Sequence, residues 1–202
     1  MFIKKIKNIF LDVYIYLEEI NDQIAQNLNK IKNINIIYNS LDFKSKNFEK
    51  VKKFCNKNNI NLFIINNFKL ATKLRLDGII ISHDNKRNAY FGNPLCKIKS
   101  FQVFGKVHSQ LDYFFKKKQN CSKVFISPIF ENNKYTINKI LKIIKFNLLS
   151  LNWKTGIIAL GGITHANFKT LRIAKLNGIG LKSFIKEQII KKPVYLFKYT
   201  GF

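Results

Sequence analysis

The sequence predicts a (β/α)₈ barrel in a single domain, and three observations carry that expectation. Eight short apolar runs recur along the 202 residues. The runs lack regular polar alternation, which is the pattern of strands buried on both faces of a parallel sheet. Segments of helical periodicity separate them, as right-handed βαβ crossovers require. An open doubly wound sheet is the alternative arrangement of the same units.

In chain order the runs are VYIYL (13–17), INIIY (34–38), LFII (62–65), GIII (78–81), FQVFG (101–105), KVFIS (123–127), GIIAL (156–160) and GIGL (178–181). Between them, Phe48, Val51 and Cys55 form one helical stripe, and Leu111, Phe114 and Phe115 another. The longest stripe is Ile137, Ile140, Leu141, Ile144 and Leu148, spaced at i, i+3, i+4, i+7 and i+11. The seventh run ends in Gly161 and Gly162, with Thr164 placed to cap a helix whose inward residues would be Phe168, Leu171 and Ala174. Trp153 and most phenylalanines are expected in the core. No linker or low-complexity tract divides the chain, so residues 1–202 are read as one domain.

Composition narrows the function. The net charge of +25 would suit a nucleic-acid partner. The charge is nevertheless spread as lysine, and arginine, the better bidentate reader of bases and phosphates, stands only at positions 75, 87 and 172. Abundant Lys, Ile and Asn together point to an A/T-rich coding bias, so nucleic acid is not the expected partner. Cys55, Cys96 and Cys121 form no pair or cluster of zinc spacing, and their odd number suits a reducing cytoplasm. The first ten residues mix lysine through their apolar positions, unlike a secretory signal, and no run reaches the roughly 18 apolar residues of a membrane span. The expectation is a cytoplasmic protein, compatible with a homo-oligomer.

In a barrel of this class the active site lies at the carboxyl ends of the strands, and a phosphate site commonly forms after strands seven and eight. Gly161 and Gly162 would let the backbone approach an anion, and GIGLKS brings Lys182 and Ser183 to the next strand end. The implied ligand is a phosphorylated small molecule. A tight turn is the plainer explanation of the two glycines. The Lys-Ser pair is not part of a Walker motif, because G-x-x-x-x-G-K-[ST] is absent. Glu18, Glu19 and Asp22 form an acidic cluster that a solvated face explains, unless they line the barrel mouth.

LDGIII (76–81), KVFISPIF (123–130), IIALGGITHANFKTL (157–171) and LNGIGLKSFI (176–185) resemble segments of thiamine-phosphate synthase and its relative TenI, in matching order. The resemblance spans about residues 35–185, and GGIT-x-x-N followed by G-x-x-x-x-S is its most specific part. It implies a (β/α)₈ barrel that handles thiazole phosphate. The synthase joins hydroxymethylpyrimidine diphosphate to thiazole phosphate with magnesium and releases pyrophosphate; TenI isomerises the thiazole phosphate. By resemblance, Gly161, Gly162 and Ser183 match the positions that hold the thiazole phosphate. A barrel that binds a phosphorylated ligand such as thiazole phosphate or thiamine phosphate without catalysis is a third expectation.

Elsewhere the pattern changes. Where the synthase ends strand three with Asn-Asp, this chain has Asn66 and Asn67. Where the family reads much like H-x-G-Q-E-D, this chain has IISHDN, placing His83, Asp84 and Asn85 at the strand-four end. Two magnesium carboxylates are thus replaced by Asn67 and Asn85, which bring dipoles without charge; Asp84 could compensate from one position earlier. The synthase's Gln-x-Arg-x-Lys array has no match in IIYNSLD (36–42), and FENNKYT offers Lys134 as the equivalent of its pyrophosphate loop. GKVHS resembles the V-H-S of TenI, making His108 a candidate proton carrier. His83 and His165 are secondary candidates at the mouth.

Overall fold

Eight parallel strands close into a barrel in simple sequential order, β1 pairing with β2 and so on round to β8, which pairs back with β1. The structure, a computed structural model, describes residues 11–87, 101–131, 140–164 and 166–182. The strands are β1 (Asp12–Leu17), β2 (Ile34–Tyr38), β3 (Asn61–Ile65), β4 (Gly78–Ile81), β5 (Gln102–Val107), β6 (Lys123–Ile126), β7 (Gly156–Leu160) and β8 (Gly178–Leu181). The described helices are α1 (Asp22–Leu28), α2 (Lys46–Lys57), α3 (Phe68–Lys73), α4 (Gln110–Lys118) and α5 (Lys142–Ser150), with a 3-10 helix at Phe168–Ile173. The predicted barrel is the observed one, and the doubly wound alternative is excluded by closure.

Strand parity sorts the apolar residues into two cores. Tyr14, Tyr16, Ile37, Phe63, Ile80, Phe104, Phe125, Ile158 and Leu160 fill the barrel interior. Val13, Ile15, Ile36, Leu62, Ile64, Ile79, Val107 and Val124 face outward, against a second cluster that includes Leu28, Phe48, Val51 and Phe146 from the helices. This is why the runs lack polar alternation: each face of each strand meets another apolar layer. Inside, rings and glycines share the space. A Cβ on Gly180 would come within 2.9 Å of Leu160 Cδ1, and one on Gly178 within 2.7 Å of the Asp12 carbonyl oxygen. At the amino-terminal end of the barrel, Lys123 Nζ lies 2.6 Å from Asp12 Oδ2, and the Tyr14 hydroxyl donates to the same carboxylate oxygen at 3.3 Å.

Helix α2 follows its predicted stripe, with Phe48, Val51 and Cys55 buried and Ser45 accepting a cap bond from the Phe48 amide. Two other stripes need correction. In α4, Leu111 and Phe114 are exposed, and Tyr113 and Lys116 turn inward instead. Gly105 explains the rotation: it leaves a notch on the outer face of β5 that the Lys116 stem fills, and a Cβ there would lie 2.6 Å from Lys116 Cγ. Tyr113 is also stacked flat on Trp153, ring centroids 3.9 Å apart.

In α5, Ile144 and Leu148 are exposed, whereas Phe146 is fully buried. The predicted stripe runs across a break in phase. Lys142 has a positive φ of 52°, and the amides of Leu141 and Lys142 bond back to the carbonyls of Pro128 and Ile129. Ile140 is buried ahead of that break, and Ile137 lies outside the described residues. The helix expected from Thr164 is also shorter, beginning as a 3-10 turn at Phe168 with Leu171 buried. Thr164 instead exchanges bonds with Asn167: its amide donates to Asn167 Oδ1 at 2.8 Å, and its hydroxyl accepts from the Asn167 amide at 3.4 Å.

Truncating Phe146 to Ala should cost about 3–5 kcal/mol of stability, whereas Ile144→Ala should stay within about 0.5 kcal/mol. Chemical denaturation of the two variants checks which face of α5 is buried. Equal losses would restore the stripe read from sequence.

Candidate functional site

The carboxyl ends of the strands gather the chemistry. Strand β5 runs two residues past the predicted end at Gly105, so Lys106 continues the inward parity of Phe104 and projects into the barrel mouth. Lys106 Nζ stands 4.9 Å from the centre of the Tyr16 ring, and Lys182 Nζ, arriving after β8, stands 5.7 Å from the same centre. Two ammonium groups therefore stand over one aromatic ring. The Tyr16 hydroxyl is buried and has no hydrogen-bond partner among the described residues.

Burial is the main cause that pushes the Lys106 amine down to about 8, and the neighbouring Lys182 charge adds to it, with Asp84 opposing. Sequence reading did not find Lys106. The available signal is its spacing of two from Phe104, which a strand ending at Gly105 hides.

His108 follows β5 and is held from both sides. Its amide donates to Asp112 Oδ2 at 2.9 Å, and its Nδ1 lies in close hydrogen-bond contact with the Ser127 carbonyl after β6. A carbonyl only accepts, so Nδ1 carries the proton and Nε2 of the neutral ring is the acceptor. The His83 ring meets His108 edge-on, with centroids 4.5 Å apart. The structure thus brings two of the sequence candidates together. His165 lies outside the described residues, as do Lys134 and Ser183.

The loop after β4 forms the adjoining wall. Asn66, at a positive φ of 55°, accepts from the Ser82 amide at 2.9 Å and donates to the Ser82 hydroxyl at 2.6 Å. Ser82 in turn donates closely to Asp84, a bond that holds this exposed carboxyl below its usual range. Asn85 Nδ2 reaches Asn66 Oδ1 at 3.4 Å. From behind, the buried Lys116 ammonium donates to the Asn85 carbonyl at 2.7 Å, and Gln119 donates to the carbonyls of Asn85 and Arg87 at 2.9 and 2.8 Å. Asn67 caps α3, its side-chain oxygen accepting from the Leu70 amide at 3.0 Å.

These residues do not fit a protein-held magnesium ion. The Asn67 oxygen is engaged in its cap, Asn85 turns an amide nitrogen toward Asn66, and Asp84 is the one carboxylate of this loop. Among the described residues, no group of three or more His, Cys, Asp or Glu is placed to hold a metal. Glu18 and Glu19 line a separate open cleft of about 450 Å³ with Asp42 and Asn39, beyond β1 and β2, and Asn39 donates to Glu18 at 3.0 Å. Asp22 sits apart, in the first turn of α1. Burial raises the Cys55 and Cys121 thiols to about 12, which suits packing rather than reactivity.

Gly161 and Gly162 both take positive φ, 95° and 67°. A Cβ on Gly162 would meet the carbonyl oxygens of Phe130 and Glu131 at 2.4 and 2.5 Å. The Gly161 carbonyl accepts from the Phe130 amide, and the Gly162 carbonyl accepts from Asn167 Nδ2 at 2.7 Å. The pair is thus required by the turn itself and by its packing on the loop after β6.

The sequence matches no protein-family model and no curated protein. Solved structures share the fold. Thiamine phosphate pyrophosphorylase from Pyrococcus furiosus superposes with a TM-score of 0.70 at 12% identity, over 89% of each chain. N-(5′-phosphoribosyl)anthranilate isomerase from the same organism gives 0.63 at 14% identity, over 92% of this chain and 94% of the other. Thiamine phosphate pyrophosphorylase from Bacteroides thetaiotaomicron gives 0.54 at 14%, over 87% and 84%. At these identities the likeness establishes the barrel fold. No helix among the described residues is long and apolar enough to cross a membrane.

Two outcomes test this geometry. Gly162→Ala should lose about 2–4 kcal/mol of stability, from left-handed strain and the clash with two carbonyls, as read by thermal or urea unfolding. Competitive acetylation with mass spectrometry should place the Lys106 midpoint near 8, and Lys182→Met should move it upward, because removing a like charge favours the ammonium.

Proposed function

We propose that this barrel acts in thiamine biosynthesis on a thiazole phosphate, in a reaction of the thiamine-phosphate synthase type. The observation that carries this reading is the convergence of Lys106 and Lys182 on Tyr16 at the carboxyl-terminal mouth. The phosphate of the thiazole would lie between Lys182 and the turn at Gly161 and Gly162, with Ser183 next in the chain. In coupling, the thiazole nitrogen takes the methylene carbon of the pyrimidine while the bond from that carbon to the diphosphate breaks. Charge then develops on the leaving pyrophosphate, where fixed donors in a partly desolvated mouth are most effective. Lys106 and Lys182 are such donors, and they supply positive charge on a wall that lacks the carboxylates for magnesium. Lys134 of the FENNKYT segment, by the family resemblance, is a further cation for the same leaving group. His83, Asp84, Asn85 and Asn67 belong to the surrounding pocket wall. The fold shared with the two thiamine phosphate pyrophosphorylases supports this choice of ligand.

The histidine pair favours a second reading, isomerisation of the thiazole phosphate. With Nδ1 committed to the Ser127 carbonyl, His108 Nε2 is oriented to accept a proton from a ring carbon and return it elsewhere. This path requires no pyrimidine diphosphate.

The two reactions separate in one set of assays, run in chelator without added metal. Pyrophosphate and thiamine phosphate formed from both substrates support coupling. Lys182→Met should then raise KM for thiazole phosphate at least tenfold, and Lys106→Met should lower kcat. Isomerisation of the thiazole phosphate alone, abolished in His108→Asn, would favour the second reading. Neither product from folded protein overturns both.

A further inference from the structure

We infer that Lys106 is a covalent site: its amine forms an imine with a small carbonyl compound that carries an anionic group, the anion resting toward Lys182. This goes beyond the reading above and requires neither thiazole nor pyrimidine. Its basis is the arrangement at the mouth. Lys106 is half-buried, rises from the inward face of β5 and lies against the Tyr16 ring at 4.9 Å, with Lys182 over the same ring at 5.7 Å. Tyr16, buried to 4% exposure, has a buried hydroxyl that meets no partner among the described residues. An amine set against an aromatic ring, with a second ammonium over the same ring, is in surroundings that ease loss of its proton to the nucleophilic form. The lowered proton affinity of Lys106 agrees with that placement, the charged neighbours being Lys182 and Asp84. The second ammonium also supplies the natural counter-charge for a phosphate or carboxylate.

The chemistry closes without an oxidant or a metal. Lys106 Nζ adds to the carbonyl carbon, the carbonyl oxygen takes up a proton, and the carbinolamine loses water to give the carbon–nitrogen double bond. Two protons leave the nitrogen in the course of addition and dehydration and depart as part of that water. His108 follows Lys106 by two residues, with its acceptor nitrogen set by the Ser127 carbonyl. It forms, with His83 edge-on at 4.5 Å, the proton-accepting group on the same rim.

The test is reductive trapping on the full chain. Wild type is incubated with dihydroxyacetone phosphate, with pyruvate, or with uncharged dihydroxyacetone, each with sodium cyanoborohydride, followed by intact mass and peptide mapping. The expected result is one adduct on Lys106, formed at least tenfold faster with an anionic probe than with dihydroxyacetone. A faster reaction with the phosphate or with pyruvate identifies which anion the mouth prefers. The adduct should disappear in Lys106→Met and slow several-fold in Lys182→Met. Circular dichroism establishes that both variants fold, and Lys106→Arg provides a second variant that retains the charge while removing the amine. Adducts scattered over surface lysines at equal rates in wild type and Lys106→Met overturn the inference, as does an unmodified Lys106 in folded protein. Failure here leaves the coupling and isomerisation assays unaffected, because they are run without a carbonyl compound or reductant.

Discussion

Tyr14 meets Phe104 and Phe125 edge-on across the barrel axis, at 5.7 and 5.2 Å, and Phe63 stacks on Phe104 at 5.0 Å. Four large rings fit there because Gly78 on β4 and Gly178 and Gly180 on β8 leave the neighbouring interior positions without side chains. This packing makes the middle of the barrel solid. Below it, the Asp12–Lys123 pair closes the amino-terminal end and uses the Tyr14 hydroxyl. The interior continues with Tyr16, Ile37, Ile80 and Leu160. Lys106 and Lys182 stand over the Tyr16 ring, so each charged group is desolvated by aromatic surface on one side.

Much of this was legible in the sequence because strand parity and burial leave a direct compositional trace. All eight runs are strands, and the α2 stripe is the buried one. Two helix faces depart from their apolar stripes for related reasons. Period analysis assumes that apolar residues win the interior, yet at Gly105 the local shape favours the long stem of Lys116, whose head is satisfied by Asn85 and Gln119. In α5 the apolar period runs through Lys142, where the backbone changes hand and the phase is reset. The same glycine that made room for Lys116 obscured Lys106, since a strand read as ending at Gly105 hides its next inward residue.

The glycine pair after β7 shows how one motif can carry two loads. The turn needs both residues for their φ values, and Gly162 additionally lies against two carbonyl oxygens. Residue spacing alone cannot separate a backbone requirement from a ligand requirement, because each asks for the absence of a Cβ. What distinguishes the mouth as a site is its side chains: two ammonium groups on one ring, and two imidazoles in contact.

Trp153, the single tryptophan of the chain, lies flat on Tyr113 and donates its indole N–H to Gln110 at 2.8 Å, both on α4. That helix also carries Lys116 and Gln119's anchor to the loop beside the histidines. The indole is therefore a native optical gauge of helix docking: its emission follows separation of α4 from the sheet, independently of any signal from the mouth. A change in the indole spectrum on ligand addition would mean that the outer layer of the barrel takes part in the response, with the tether through Lys116 as the physical route.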